Sequence, residues 1–210
     1  MFSVIFGAGG QGRETLDLLL RQGHTPSELL FCESNPTVKL MHGIHIVSFP
    51  DLVKMKSEVS WIHVALGNPN DRKFFVNEFK AELFSLDSIE SQNSSVSKFA
   101  EFGINAFISD FVYIGPDVVI GDGVLVNYMA SVSHDVVLGD FVTVGPGARV
   151  NGHVTVGNNV MIGSNVVIRN GTKLEPLVIG DGVTIGAGAV VTKNVSSGST
   201  VVGNPARPII

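Results

Sequence analysis

The sequence predicts a small α/β unit followed by a parallel β-helix, and three observations carry that reading. From Phe102 to Leu174 every sixth residue is a large apolar one, thirteen in an unbroken row. A second register, two residues ahead of each, runs Ala106, Val112, Val118, Val124 and onward to Val166, all small or β-branched. Before about residue 84, apolar strand-like runs instead alternate with segments of helical spacing.

Taken in order, residues 3–6 form an apolar strand. Residues 12–22 have helical spacing and stop at Gly23, where a C-terminal glycine belongs. Residues 29–32 make a second strand and 61–66 a third. Residues 70–82, with Phe74, Phe75 and Phe79, make a helix. This βαβαβα order predicts a small parallel sheet with helices on its faces. It is too short for a full dinucleotide-binding fold, which needs two such halves. The first domain is placed at residues 1–84, a linker rich in Ser and Asn at 85–98, and the β-helix at 99–210.

Within the hexads, residues two apart on a strand share a face, so each repeat offers two inward side chains and then a turn. Ile114-Gly-Pro-Asp, Ile120-Gly-Asp-Gly and Val144-Gly-Pro-Gly supply the turn formers. Neither a helical period of 3.6 nor a hairpin protein holds a strict six. A parallel β-helix does. Three hexads per coil stack residues 18 apart at roughly 4.8 Å. Ile168 and Leu174 keep step, but Ile179 and Ile185 come one residue early, which predicts an excursion or tightened corner over 172–178, around Pro176.

Composition excludes several classes. Fourteen Lys and Arg against nineteen Asp and Glu give a net charge of −5, a poor footprint for nucleic acid. Cys32 is the only cysteine, so no disulfide framework exists, and a buried small hydrophobe is its expected role. No stretch approaches the roughly 20 apolar residues of a membrane span, and the N-terminus lacks the basic cluster of a signal peptide. A cytoplasmic location is the expectation.

Two places can carry chemistry. Gly7-Ala-Gly9-Gly10-Gln11-Gly12 follows a strand and opens a helix, the context of a phosphate-binding turn. Glu33 ends the second strand and Gly67-Asn68 the third, so all three points lie at C-terminal strand ends, where open α/β sheets bind ligands. In the β-helix, His134 and Asp135 fall in a turn, with Gly152 and His153 stacked on them one coil later. An imidazole titrating near neutrality is a natural general base, and a neighbouring carboxylate raises its basicity. His42 and His45 have a plausible metal spacing but no further clustered ligands.

The glycine-rich turn, the short sheet, the hexads, Ser133-His134-Asp135-Val-Val-Leu-Gly-Asp and the closing Gly203-Asn-Pro-Ala-Arg together resemble the bacterial nucleotide-sugar acetyltransferases. That group includes the sialic-acid O-acetyltransferases and the N-acetyltransferases of bacillosamine and perosamine synthesis. The resemblance implies a left-handed β-helix and a homotrimer. It places acetyl-CoA in grooves between neighbouring β-helices and the sugar nucleotide on the first domain. Carried over by position, His134 is the general base, Asp135 the acid that increases its basicity and Asn127 an assistant at the sugar. Gly9, Gly10, Gln11, Glu33, Ser34 and Gly67 match nucleotide-sugar contacts. Gln11 replaces a frequent histidine. Thr143, Ser164 and Ala187 match acetyl-CoA contacts, and Thr143 departs from members that place a second histidine there.

The expected activity is acetyl-CoA-dependent N-acetylation of the 4-amino group of a nucleotide-linked 4-amino-4,6-dideoxy sugar, in bacterial surface glycan (O-antigen, lipopolysaccharide) synthesis, with no metal required. O-acetylation of a sugar hydroxyl and a non-catalytic binding scaffold are the alternatives. A scaffold tolerates loss of His134, and competition between amino and hydroxy sugars separates the two transfers.

Overall fold

The structure, a computed structural model describing residues 1–209, has two compact units that divide between Ile89 and Glu90. In the first, β1 (Phe2–Phe6), β2 (Leu29–Glu33), β3 (Leu40–Met41), β4 (Ile44–Ser48) and β5 (Val59–Val64) form one sheet in the order β3-β4-β2-β1-β5. All pairs are parallel except the β3–β4 hairpin. Helices α1 (Gly10–Arg21), α2 (Phe49–Lys54) and α3 (Pro69–Ala81) accompany it. The expected three strands and two long helices are present; β3, β4 and α2 are additions. Ile44 and Ile46 turn inward while His45 faces out. The six residues of α2 bury only Leu52, too little periodicity to read as an element.

Gly12 shows why this unit needs glycine at one position. A Cβ there would stand 1.8 Å from the carbonyl oxygen of Gly7, so any side chain would drive α1 off the end of β1. Cys32 is fully buried in β2, and burial pushes its thiol up to about 12, as a small hydrophobe requires.

The second unit is a left-handed parallel β-helix with three faces. One face stacks Ser95–Val96, Tyr113–Ile114, Ser131–Val132, Arg149–Val150, Val167–Ile168 and Val190–Val191, each paired in parallel with the next. Both predicted inward registers fill the core, with Val118, Val124, Val132, Val144, Val150, Ile162 and Ile168 essentially inaccessible. One residue per corner takes the left-handed region, from Asn105 and Phe111 through Asp135 and His153 to Asn165, with φ between 54° and 59° at the non-glycine positions.

A second device explains the Gly-Asp pairs. On one corner Asp122 Oδ1 accepts from Ile104 N–H, Asp140 from Asp122, Asn158 from Asp140 and Asp181 from Asn158, at 2.6–3.0 Å. Each oxygen occupies the space where a Cβ on the preceding coil's Gly103, Gly121, Gly139 or Gly157 would lie. The glycine makes room and the acid or amide ties coil to coil.

Leu174 and Phe102 depart from the inward row. Val156 stacks not on Leu174 but on Ile179, because five extra residues leave the corner before Leu177 resumes the strand. Leu174 sits on that excursion, 92% exposed, and Phe102 is also exposed in the first coils.

Candidate active site

His134 and Asp135 occupy the corner after Ser131–Val132. Ser131 pairs with Arg149, a register that lays His134 over Gly152 and Asp135 over His153. The His153 N–H donates to the His134 carbonyl at 3.3 Å. Asp135 and His153 take the left-handed position of their corners, φ 57° and 55°, and Val136 and Val154 then turn back into the core.

The His134 and Asp135 side chains are accessible, and His134 Nδ1 lies 2.7 Å from Asp135 Oδ2. An ionised carboxylate only accepts, so Nδ1 carries the hydrogen and the imidazole lone pair is left at Nε2. His153 Nδ1 lies 3.8 Å from the same oxygen. Its ring meets that of His134 edge-on, centroids 5.2 Å apart. The hydrogen bond from His134 foremost, helped by the charges of His153, His134 and Lys173, holds the Asp135 carboxyl below its ordinary range. Asp135 is therefore ionised at neutral pH. An imidazole oriented in this way is able to act as a general base.

Asn127 lies at the other end of the same face strand, at the preceding corner, where its Nδ2 donates to Val144 O at 2.9 Å. Ser164 and Ala187 follow on that corner in successive coils. Their backbone nitrogens come within 2.7 Å and 2.6 Å of where a Cβ on Gly145 and Gly163 would be. Thr143 pairs between Leu125 and Met161 on the adjoining face and is buried within the single chain.

In the first unit the glycine turn gathers Gly9, Gly10, Gln11 and Glu33. Gly9 is the N-cap of α1 with extended backbone, and no side chain caps that helix. Ser48 caps α2, and Asn68 caps α3 through Asn70 and Asp71 N–H. Of the α-helices among the described residues, α1 alone offers its first turn uncapped, and that is the end with affinity for an anion. A Cβ on Gly9, Gly10 or Gly67 would meet nothing within 4 Å, so these glycines border open space. Glu33 Oε1 accepts from Ala8 N–H at 3.2 Å, tying the turn to β2, with Ser34 exposed beside it. Gln11 buries an Nε2 that has no hydrogen-bond partner.

Arg72 escaped the sequence reading. It is 2% exposed on α3 and donates to the carbonyls of Leu66 at 2.6 Å and Gly67 at 3.0 Å, which fixes the turn after β5. Burial pulls its guanidinium down to about 10, so it remains a cation. His42 and His45 sit at the exposed β3–β4 hairpin without a third ligand near them. No helix among the described residues is long and apolar enough to cross a membrane.

Comparison with known proteins agrees with both units. Residues 4–79 match the PglD N-terminal domain, and residues 135–170 match the bacterial transferase hexapeptide (six repeats). The GDP-perosamine N-acetyltransferase of Escherichia coli O157:H7 is 37% identical over 207 residues, covering 97% of this chain and 94% of the relative. WeeI from Acinetobacter baumannii AYE superposes with a TM-score of 0.95 at 31% identity over 100% of both chains. The acetyltransferase domain of PglB from Neisseria gonorrhoeae FA1090, solved with acetyl coenzyme A, superposes with a TM-score of 0.90 at 30% identity, covering 99% of this chain and 98% of that domain. With both domain types, in this order, and a hydrogen-bonded His–Asp pair in the second, the chain belongs to the bacterial nucleotide-sugar acetyltransferases of the hexapeptide-repeat family.

Proposed function

We propose that the protein transfers the acetyl group of acetyl-CoA to the 4-amino group of a GDP-linked 4-amino-4,6-dideoxy sugar of the perosamine type. The observation that carries the chemistry is the 2.7 Å bond between His134 and Asp135, which leaves Nε2 as acceptor. The amine nitrogen attacks the thioester carbonyl while His134 Nε2 takes its proton. A backbone N–H of the glycine-rich coil stabilises the tetrahedral oxyanion. The C–S bond then breaks, and the thiolate leaves as CoA thiol with the proton from His134. Asp135 stabilises the transient imidazolium, and Asn127 steadies the sugar. No metal takes part.

Gly9, Gly10 and Gln11 hold the diphosphate at the uncapped end of α1, with Glu33, Ser34 and Gly67 around the nucleoside and sugar. The partnerless Nε2 of Gln11 supports a ligand oxygen there. The guanosine base rests on the curated relative's substrate. Thr143, Ser164 and Ala187 line the acetyl-CoA path between neighbouring β-helices of a homotrimer. Apolar side chains left exposed on the second unit, among them Phe111, Tyr113, Tyr128 and Met129, support that assembly. The setting is cytoplasmic synthesis of a bacterial surface glycan.

Thiol release from acetyl-CoA tests the assignment, using GDP-, UDP- and dTDP-linked 4-amino-4,6-dideoxy sugars beside the 4-hydroxy analogues. Turnover is expected with the GDP-linked amine. Turnover confined to the hydroxy sugars overturns N-transfer, and a preference for another base overturns the guanosine assignment.

A further inference from the structure

The corner that carries the base holds a second set of donors. One ring nitrogen each of His134 and His153 and a carboxylate oxygen of Asp135 lie within 4.8 Å of one another, the only such cluster of three potential ligands among the described residues. Asp135 Oδ2 lies 2.7 Å from His134 Nδ1 and 3.8 Å from His153 Nδ1. In a tetrahedral zinc site with bonds of about 2.0–2.1 Å, donors stand about 3.4 Å apart, so these separations bracket what is needed. Two imidazoles and one carboxylate suit Zn²⁺, which prefers nitrogen donors, and do not suit Mg²⁺, which demands oxygen. None of the three side chains is fully buried, so an ion from solvent reaches them. Adjacent coils keep the donors together. Asp135 and His153 share a corner position one coil apart, and the His153 N–H is bonded to the His134 carbonyl.

We propose that His134, Asp135 and His153 form an inhibitory site for Zn²⁺, in which the metal silences the general base. The inhibition rests on the reading of His134 as base; the binding does not. A neutral imidazole has one N–H. When Nδ1 donates to Asp135, Nε2 has the lone pair that receives the amine proton. When Nδ1 ligates zinc, the ring's single N–H hydrogen shifts to Nε2, and that nitrogen can no longer accept. The ion also takes Asp135 away from its orienting role. Zinc at this corner thus acts on the tautomer, and the acetyl-CoA and nucleotide contacts need not change.

The test separates binding from inhibition. Co²⁺ is titrated into the full-length protein without CoA, following its visible ligand-field bands, and Zn²⁺ is titrated by calorimetry. Acetyl-sugar formation is then measured by mass in zinc-buffered solution. Saturable binding of one ion per chain is expected, weakened at least about tenfold in His153→Ala. Inhibition of each enzyme, relative to its own uninhibited rate, should shift by the same factor, with Mg²⁺ inert. Absence of a saturable Co²⁺ signal, or equal affinity in wild type and His153→Ala, overturns the site. Binding that leaves acetyl transfer unimpaired overturns the inhibition and counts against His134 as base while the site stands.

Discussion

Gly152 lies directly against the imidazole of His134: a Cβ built on Gly152 would stand 2.6 Å from Cε1 and 2.8 Å from Nε2. The floor beneath the His134 ring is therefore a residue without a side chain. Its backbone conformation is not in the left-handed region, so a larger residue is excluded by the ring and not by strain.

Gly152→Ala should displace the His134 ring and loosen its bond to Asp135 while the coil persists, because only an accessible side chain has to move. We expect kcat to drop at least about tenfold, within the span of lost general-base catalysis, with little change in melting temperature. Undiminished kcat with a folded protein would show that the ring need not rest where it does.

His134→Ala removes the proposed base itself. Such losses cost about 10²–10⁴-fold in rate, so kcat should fall by that order with acetyl-CoA binding intact by calorimetry. Asp135→Asn should cost less, since the imidazole remains and loses only its anionic partner. Retention of more than half the wild-type kcat in His134→Ala would remove it from the mechanism.

Gly10→Val puts a branched side chain into space that is open in the protein, where a Cβ finds nothing within 4 Å. Folding should be untouched. The KM for the sugar nucleotide should rise at least about tenfold while the KM for acetyl-CoA barely moves. Matched rises in both constants, or a lowered melting temperature, would speak against a diphosphate at this turn.

His63 predicts a pH dependence. It is buried on β5, its Nδ1 3.0 Å from the Asp87 carbonyl, and burial above all pulls its pKa down to about 4 from 6.5, with the Arg72 charge adding to the shift. Below pH 6.5 the unfolded chain binds a proton that the folded chain refuses, so stability falls as pH drops. The loss approaches about 3 kcal/mol by pH 4, at about 1.4 kcal/mol per unit. Urea unfolding between pH 7 and pH 4.5 should show it, and His63→Gln should flatten the slope. A parallel slope in the variant would assign the effect to other groups.

Phe111 and Met129, a coil apart on one corner, are 64% and 65% exposed in the single chain. Light scattering should return three times the chain mass of 22.3 kDa, and replacing both residues with Asp should lower the mass and the activity together. A fully active monomer would sink the trimer.

Much of the β-helix was legible because its period is enforced locally: each hexad must return two side chains to the core and one left-handed residue to the corner. The contact of His153 with Asp135 could be read from the same period, since residues 18 apart must stack. Leu174 shows the limit. It keeps perfect step yet lies outside, because five inserted residues leave the arithmetic nearly intact, and only Pro176 and the one-residue slip at Ile179 and Ile185 hint at the departure. Helix Phe49–Lys54 was too short to display a period, and in strand Ile44–Ser48 the polar His45 and Ser48 break up the apolar run that marks the other strands. Arg72 was silent for another reason. Its partners are backbone carbonyls, which any residue supplies and no side-chain pattern betrays.

The excursion before Leu177 also changes how positions in this chain should be compared with those of its relatives. Val156 and Ile179 are 23 residues apart and still neighbours in the sheet, while Val132 and Val150 are neighbours at 18. Position in the β-helix is therefore an address of coil and corner. Chain length can grow at a corner without disturbing the floors above or below, whereas one residue added inside a face strand would send the next inward side chain into solvent. Insertions should collect at corners, and an alignment that honours coil and corner will pair functional residues that a count along the chain would separate.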